Sequence, residues 1–287
     1  MMQVATLVAP LGASLTAQQT AETVSHIEGA GGHIESTKIF PGKRAAAIFF
    51  TGGQGFVATG RPFDILIQPV AHRRKKILIA DMESTVIEQE MLDELAGEIG
   101  VGEKVAAITS RAMNGELDFT AALSERVALL KGQPESLLQK VALRMSFTSG
   151  ARDLIAAMKR AGGQCWLVSG GFTCFIKLIA EQAGFDRFFG NRLEIENGVL
   201  TGKVLLPILG KDTKKELLER ACADFDCVMA QTVAIGDGAN DVPMLRACHE
   251  GGGLGVAYRA KPNVRAVIPN QINHGDLATL LFALDLF

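Results

Sequence analysis

No C-x-x-C pair occurs anywhere in the chain, and its five cysteines (Cys165, Cys174, Cys222, Cys227 and Cys248) are odd in number. That usage argues against both a zinc site and a disulfide framework, so the thiols read as buried side chains in a reducing compartment. No apolar run approaches the ~20 residues that a membrane-spanning helix needs, so a soluble protein without a membrane partner is expected. A one-sided charge excess is missing too: the formal net charge is −2, with 21% of residues charged. Arg73, Arg74, Lys75 and Lys76 form the only tight basic run. It is too short for a nucleic-acid footprint, and it reads as a solvated connector. The mildly apolar start has no Lys or Arg ahead of it; no secretory signal is expected, and the cytoplasm is the expected compartment.

Motif absences narrow the field further. GDGAND, from Gly236 to Asp241, has Asp241 where a dinucleotide fingerprint needs its third glycine. GEIGVGEK has Glu103 where a P-loop needs lysine. The five histidines (His26, His33, His72, His249 and His274) show neither metal nor triad spacing and read as structural or surface residues. Internal repeats and low-complexity tracts are lacking.

What is present fits two domains, since 287 residues at 48% hydrophobic composition can bury one large core and a smaller one. QVATLVAP, TAQQTAETVSHIEGAGG, HIESTKIF, RAAAIFF and FDILIQP read as strand, helix and then strands, a small N-terminal α/β unit over residues 1–75 with its linker. From residue 76 to 287 the texture changes. KILIAD, QCWLVSGG, TVAIGDGAND and GGGLGVAY are short apolar runs ending in Gly, Ser or Asp and separated by helical stretches, as doubly buried parallel strands require. Between the first two runs, residues 97–145 offer no strand but several helical patterns. An insert there lies beside the carboxyl ends of the strands, where such sheets bind ligands, so it is a candidate lid. Asn197-Gly198 between apolar segments marks a tight hairpin.

Three polar clusters end three of the expected strands: Asp81 with Glu83, then Ser169-Gly170-Gly171, then Asp237 to Asp241. Carboxylates converging at one sheet edge repel one another unless a hard cation sits among them, and an oxygen-lined site of this kind suits Mg²⁺. Ser169 and the N–H groups of Gly170 and Gly171 can cradle an anion, and Lys214 can add a point charge to a phosphate. Together these features point to phosphoryl transfer with Asp81 as a covalent nucleophile. Paired acids such as Asp81 and Asp237 at the ends of buried strands have no cheap structural explanation.

The ordered motifs DMEST, SGG, a helical Lys214 and GDGAND resemble those of the haloacid dehalogenase superfamily of aspartyl phosphatases. Within it, SRAMNGELDF and RVALLKG are similar to segments of the phosphoserine phosphatases, and the resemblance covers about Lys76 to Asp276. It implies a Rossmann-like parallel sheet with a helical cap after the first core strand. It also implies Mg²⁺-dependent hydrolysis of O-phosphoserine through a phosphoaspartate on Asp81. Glu83 would be the acid and base, departing from the Asp usual there. Asp81, the Glu83 carbonyl and Asp237 would hold the metal, with Asp241 in support. Ser169, Gly170, Gly171, Lys214 and Asn240 would surround the phosphoryl group. Glu90 would take the substrate ammonium and Arg126 its carboxylate, while Met113 and Phe119 would close the lid. The N-terminal unit resembles small ferredoxin-like, ACT-type regulatory folds, with ligand binding, dimerisation into a homodimer and structural support all open. Two other functions stay open: phosphoryl transfer to another alcohol such as homoserine, and serine binding without catalysis.

Overall fold

The computed structural model describes residues 1–210 and 212–286, except for the side chain of Met113. Strand β1 (Gln3–Val8) leads into α1 (Ala17–Gly29), which begins with a reciprocal capping box between Thr16 and Gln19. The strands β2 (Gly32–Ile39), β3 (Ala45–Gly52) and β4 (Asp64–Pro69) complete an antiparallel sheet of order β2-β3-β1-β4. The order is that of a ferredoxin-like sheet. The second helix of that pattern is replaced by residues 53–63, a loop that carries Phe56 and Phe63 to the sheet. One face packs on Ile27 of α1, and the other meets Phe282 from the far end of the chain.

The basic linker is not the solvated connector expected from its charge. Burial alternates along it: Arg73 and Lys75 point inward and are buried, while Arg74 and Lys76 are exposed. Arg73 donates to the carbonyls of Ala283 (2.9 Å) and Phe282 (2.8 Å), and Lys75 to that of Ala230 (2.8 Å). An extended segment between two packed bodies has an inner side, and there backbone carbonyls, with Asp285 at 3.9 Å from Arg73, satisfy the cations.

The second sheet begins with β5 (Ile77–Ala80), followed by a wide five-residue turn, Met82–Val86. Four helices come next: α2 (Met91–Glu98), α3 (Gly102–Met113), α4 (Phe119–Ala128) and α5 (Ser136–Ala142). The chain continues through α6 (Ala151–Arg160), β6 (Gln164–Phe172), α7 (Thr173–Ala183), the hairpin β7 (Arg187–Glu196) with β8 (Val199–Leu205), and α8 (Thr213–Asp224). It ends with β9 (Thr232–Gly236), α9 (Val242–Glu250), β10 (Leu254–Tyr258), α10 (Pro262–Arg265), β11 (Asn270–Ile272) and α11 (Thr279–Ala283). The strand order is β11-β10-β9-β5-β6-β7-β8, and every pair is parallel except β7 with β8.

Strand β5 is buried on both sides, with Leu78 and Ala80 in one core and Ile77 and Ile79 in the other. That is why its sequence is an unbroken apolar run rather than an alternating one. From β5 the chain passes to β6 on one side and later returns to β9 on the other. The carboxyl end of β5 is therefore a topological switch point, where open parallel sheets form their ligand crevice.

Short antiparallel contacts frame the helical insert: Glu88 N–H donates to Ser146 (3.1 Å) and Thr148 N–H to Val86 (3.0 Å). These contacts close off a segment from residue 88 to 146 that includes α2. Three backbone bonds dock it onto the hairpin, including Gly132 N–H to Leu200 (2.9 Å) and Glu135 N–H to Gly198 (2.8 Å). The thiols also differ from expectation. Cys165 and Cys248 are buried, but Cys174 is exposed, and Cys222 and Cys227 are half-buried at the outer end of α8.

Candidate active site

Three adjacent strands, β9, β5 and β6, deliver Asp237, Asp81 and Ser169 to one edge of the sheet. Asp81 Oδ1 accepts from its neighbour's N–H, Met82 (2.8 Å), and lies 2.8 Å from the Lys214 ammonium. Lys214 is buried and reaches Asp241 Oδ1 at 2.5 Å. Asp241 Oδ2 accepts from the N–H groups of Asp237 (3.1 Å) and Gly238 (2.9 Å). Both Asp241 oxygens are thus engaged in holding the loop and the lysine. This close approach needs Gly236, since a Cβ there would lie 2.3 Å from Asp241 Cγ.

Oxygens from Asp81, Asp237 and Asp241 lie within 4.8 Å of one another. Three carboxylates against one buried ammonium leave two negative charges uncompensated. Lys261 stands 3.9 Å from Asp237, but its side chain is 59% exposed and its charge is screened. Burial, then Asp241, pushes the Asp237 pKa up to about 6. Burial and the neighbouring Asp241 and Asp237 hold Asp81 well above the usual carboxylate range, against the pull of Lys214. Burial opposes the Lys214 charge, but Asp241 and Asp81 outweigh it and keep its pKa above the ordinary lysine value. Hard oxygen donors with two charges left over fit a divalent cation.

Glu83 stands on the wide turn, where Ser84 adopts a left-handed φ of 53° and redirects the chain. Glu83 Oε1 accepts from the Met91 N–H (2.9 Å), which ties the acid to the first turn of α2. Burial, then the nearby Glu90, raises its pKa to about 7. The carboxyl group packs directly over Gly171, where a Cβ would sit 2.8 Å from Glu83 Oε2. Gly171 spends its own N–H on Ser169 Oγ (2.9 Å), so in this arrangement that N–H is not aimed at an anion. Its use is space for Glu83.

The other expected residues gather around this centre. Glu90 is at the N-cap of α2 but does not cap it; its Oε1 accepts from Ser84 Oγ (2.7 Å). Arg126 is half-buried on α4, with burial lowering its pKa and Asp93, Glu83 and Glu90 opposing that shift. Phe119 hangs from the cap over Gly170, whose Cβ would lie 3.1 Å from the Phe119 ring. Phe119, Ser169, Gly170, Lys214 and Asn240 line one pocket, with Leu209, Gly210 and Thr213 on its far wall. Met113 ends α3, and its side chain lies outside the described residues.

Four contributors were not anticipated. Asn191, almost wholly buried on β7, donates to the Gly170 carbonyl (2.7 Å) and accepts from the Leu209 N–H (2.8 Å). It fixes the loop on which Ser169 and Gly170 sit. A polar residue within FFGNRLEIE was the available signal, hidden because only the LEIE end of that run read as a hairpin arm. Ser84, Asp93 and Lys261 are short-range partners of Glu90, Arg126 and Asp237 that no spacing rule isolates.

A doubly wound parallel sheet with a capped, acid-rich switch point is the frame of a phosphoryl-transfer hydrolase. The haloacid dehalogenase-like hydrolase family model matches residues 78–246, and the chain belongs to that family. A phosphoserine phosphatase from Streptococcus thermophilus is 44% identical over 211 residues, covering 74% of this chain and 96% of that one. A HAD family hydrolase from Salmonella enterica serovar Typhi superposes with a TM-score of 0.82 at 29% identity, covering 99% of both chains. The structure of a phospho-aspartyl intermediate analogue of phosphoserine phosphatase superposes at 0.66 with 38% identity, over 72% of this chain and 98% of that one.

Proposed function

We propose that the protein hydrolyses O-phosphoserine to serine and phosphate through a phosphoaspartate on Asp81, with Mg²⁺ as its cofactor. The observation that carries this reading is the meeting, at one edge of the sheet, of a lysine-held strand-end carboxylate, Asp81, with a second carboxyl group, Glu83, whose pKa burial and Glu90 raise to about 7. Names borne by the relatives support the substrate.

Asp81, the Glu83 carbonyl and Asp237 would hold Mg²⁺, with Asp241 supporting them through Lys214 and the loop amides. The ion would neutralise the two residual charges and stabilise negative charge on the phosphoryl oxygens. Asp81 Oδ2, which has no protein donor among the described residues, is the attacking oxygen. As the bond from Asp81 to phosphorus forms and the phosphorus–serine oxygen bond breaks, Glu83 gives its proton to the serine oxygen. Without that proton the leaving group is a strongly basic alkoxide, and general acid help of this kind contributes ~10²–10⁴-fold. The Glu83 carboxylate then takes a proton from water, which attacks phosphorus and releases Asp81. Lys214 offsets charge on Asp81 throughout. Ser169, Gly170 and Asn240 position the phosphoryl oxygens, and Gly171 leaves room for Glu83.

Glu90 and Arg126 give the substrate end of the pocket opposite charges, as a zwitterionic amino acid requires. Phe119 closes the pocket and keeps out bulk water. The proposal includes a cytoplasmic location and a homodimer; the free outer edge of β2, which pairs only with β3 among the described residues, supports the latter. The test is phosphate release from a panel of phosphomonoesters with and without Mg²⁺. Phosphoserine should lead the panel, and activity should vanish on chelation. Equal rates across the panel, or full activity after exhaustive chelation, would contradict the reading.

A further inference from the structure

The outer end of α8 carries a second piece of chemistry, remote from the phosphate pocket. The helix stops at Phe225, and Asp226 follows with a left-handed φ of 44°. Cys227 N–H donates to the Cys222 carbonyl (3.0 Å) and Asp226 N–H to that of Ala223 (3.4 Å). These two bonds define a Schellman cap, in which the third helical residue from the end and the second residue past the cap press their side chains together. Elsewhere that contact is hydrophobic. Here both positions are cysteine.

We propose that Cys222 and Cys227 form a reversible, oxidisable dithiol that closes to an intramolecular disulfide on exchange with low-molecular-weight disulfides. The cap supplies the geometry: six-residue Schellman closure brings the two backbones to the separation a disulfide spans, without refolding the helix. Both residues are half-buried, so a small disulfide can reach them. The two thiols lie near enough for each to shift the other's titration. Burial raises the Cys227 thiol above its ordinary pKa, with Cys222 and the nearby Lys76 opposing the shift. Burial and the neighbouring Cys227 push the Cys222 thiol up to about 12.

The exchange balances in two steps. The thiolate of one cysteine attacks one sulfur of the small disulfide, forming a mixed disulfide and expelling one thiolate. The sulfur of the other cysteine, losing its proton, then attacks the protein sulfur of that mixed disulfide, closing the protein disulfide and expelling the second thiolate. The small disulfide is reduced to two thiols, and the protein loses two hydrogens.

Trypsin places both cysteines on one peptide, Ala221–Arg246, and Cys248 on the next. The folded, full-length protein is incubated with oxidised glutathione, alkylated with iodoacetamide, digested and mapped by mass spectrometry. The expected result is an Ala221–Arg246 peptide two hydrogens lighter and free of alkylation, with both sites becoming alkylatable after dithiothreitol. Cys222→Ser and Cys227→Ser, each treated alike, should instead stop at a glutathione adduct on the remaining thiol. Wild-type protein that stays fully alkylated at both sites, halts at the glutathione adduct, or links either cysteine to Cys248 would overturn the proposal.

Discussion

Glu83 shows how one added methylene is accommodated. Its longer arm is held at Oε1 by the Met91 N–H and lies against Gly171, where no other residue type leaves room. Glu83→Gln should lower phosphoserine turnover by ~10²-fold or more while leaving KM nearly unchanged, because an amide cannot supply the departing proton. With p-nitrophenyl phosphate the same variant should give a burst of nitrophenol and then stall, since water activation needs the same group. Gly171→Ala should lower kcat in the same sense by displacing the acid; wild-type kinetics in that variant would show that Glu83 tolerates the shift. Protonated Glu83 is the form that serves the first step, so kcat/KM should fall about tenfold per pH unit above its pKa of about 7. Asp81, Glu83 and Asp237 were legible in the sequence because acids at the ends of buried apolar runs stand out. The raised pKa of Glu83 was not, since it depends on burial and on Glu90, seven residues away in the chain but adjacent in space.

At the scale of elements, the strands of the second sheet that stood out were those with four or five consecutive apolar residues. β11 has three residues, two of them polar, and carries no pattern above background; the Asn197-Gly198 hairpin marked the LEIE end of β7, but its first half mixes charge with aromatics and did not stand out. Asn191 was lost with that half. The helical cap was legible from its periodicity, but its docking onto β8 rests on backbone bonds that no side-chain pattern encodes. The cap's role in selectivity is tested through Arg126. Arg126→Ala should raise KM for phosphoserine by ~10-fold or more and raise it much less for phosphoethanolamine, which lacks the carboxylate. A loss of the same size for both substrates would make Arg126 a scaffold residue of the cap.

Across the whole molecule, the N-terminal sheet is bonded to the catalytic body rather than tethered to it. Asp64 accepts from the N–H groups of Asn273 (2.8 Å) and Gly275 (2.7 Å), and the Asn270 side chain pairs with both backbone groups of Ile67. Arg44 reaches Asp276 at 2.6 Å, and Leu66 belongs to the main core. Arg73→Ala, which strands two buried carbonyls, should lower stability by about 2–4 kcal/mol in denaturant unfolding, with both bodies still melting together. Two separate transitions in the wild-type protein would contradict this coupling. The charge balance has its own signature. The folded protein holds the Asp237 proton until about pH 6, whereas an unfolded chain releases it near 3.8. Metal-free stability should therefore fall as pH rises through that window, by on the order of 3 kcal/mol. Mg²⁺ should raise Tm more above the window than below it; an equal rise at both ends would place the ion elsewhere.

The most direct test is to find the phosphoryl group. Glu83→Gln enzyme is mixed with Mg²⁺ and p-nitrophenyl phosphate, quenched in acid during the stall, digested with pepsin and mapped by tandem mass spectrometry. The account predicts a phosphoryl adduct on Asp81, near stoichiometric with the nitrophenol burst and absent from Asp81→Asn protein. An adduct on any other residue, or a burst with no adduct at all, would contradict it.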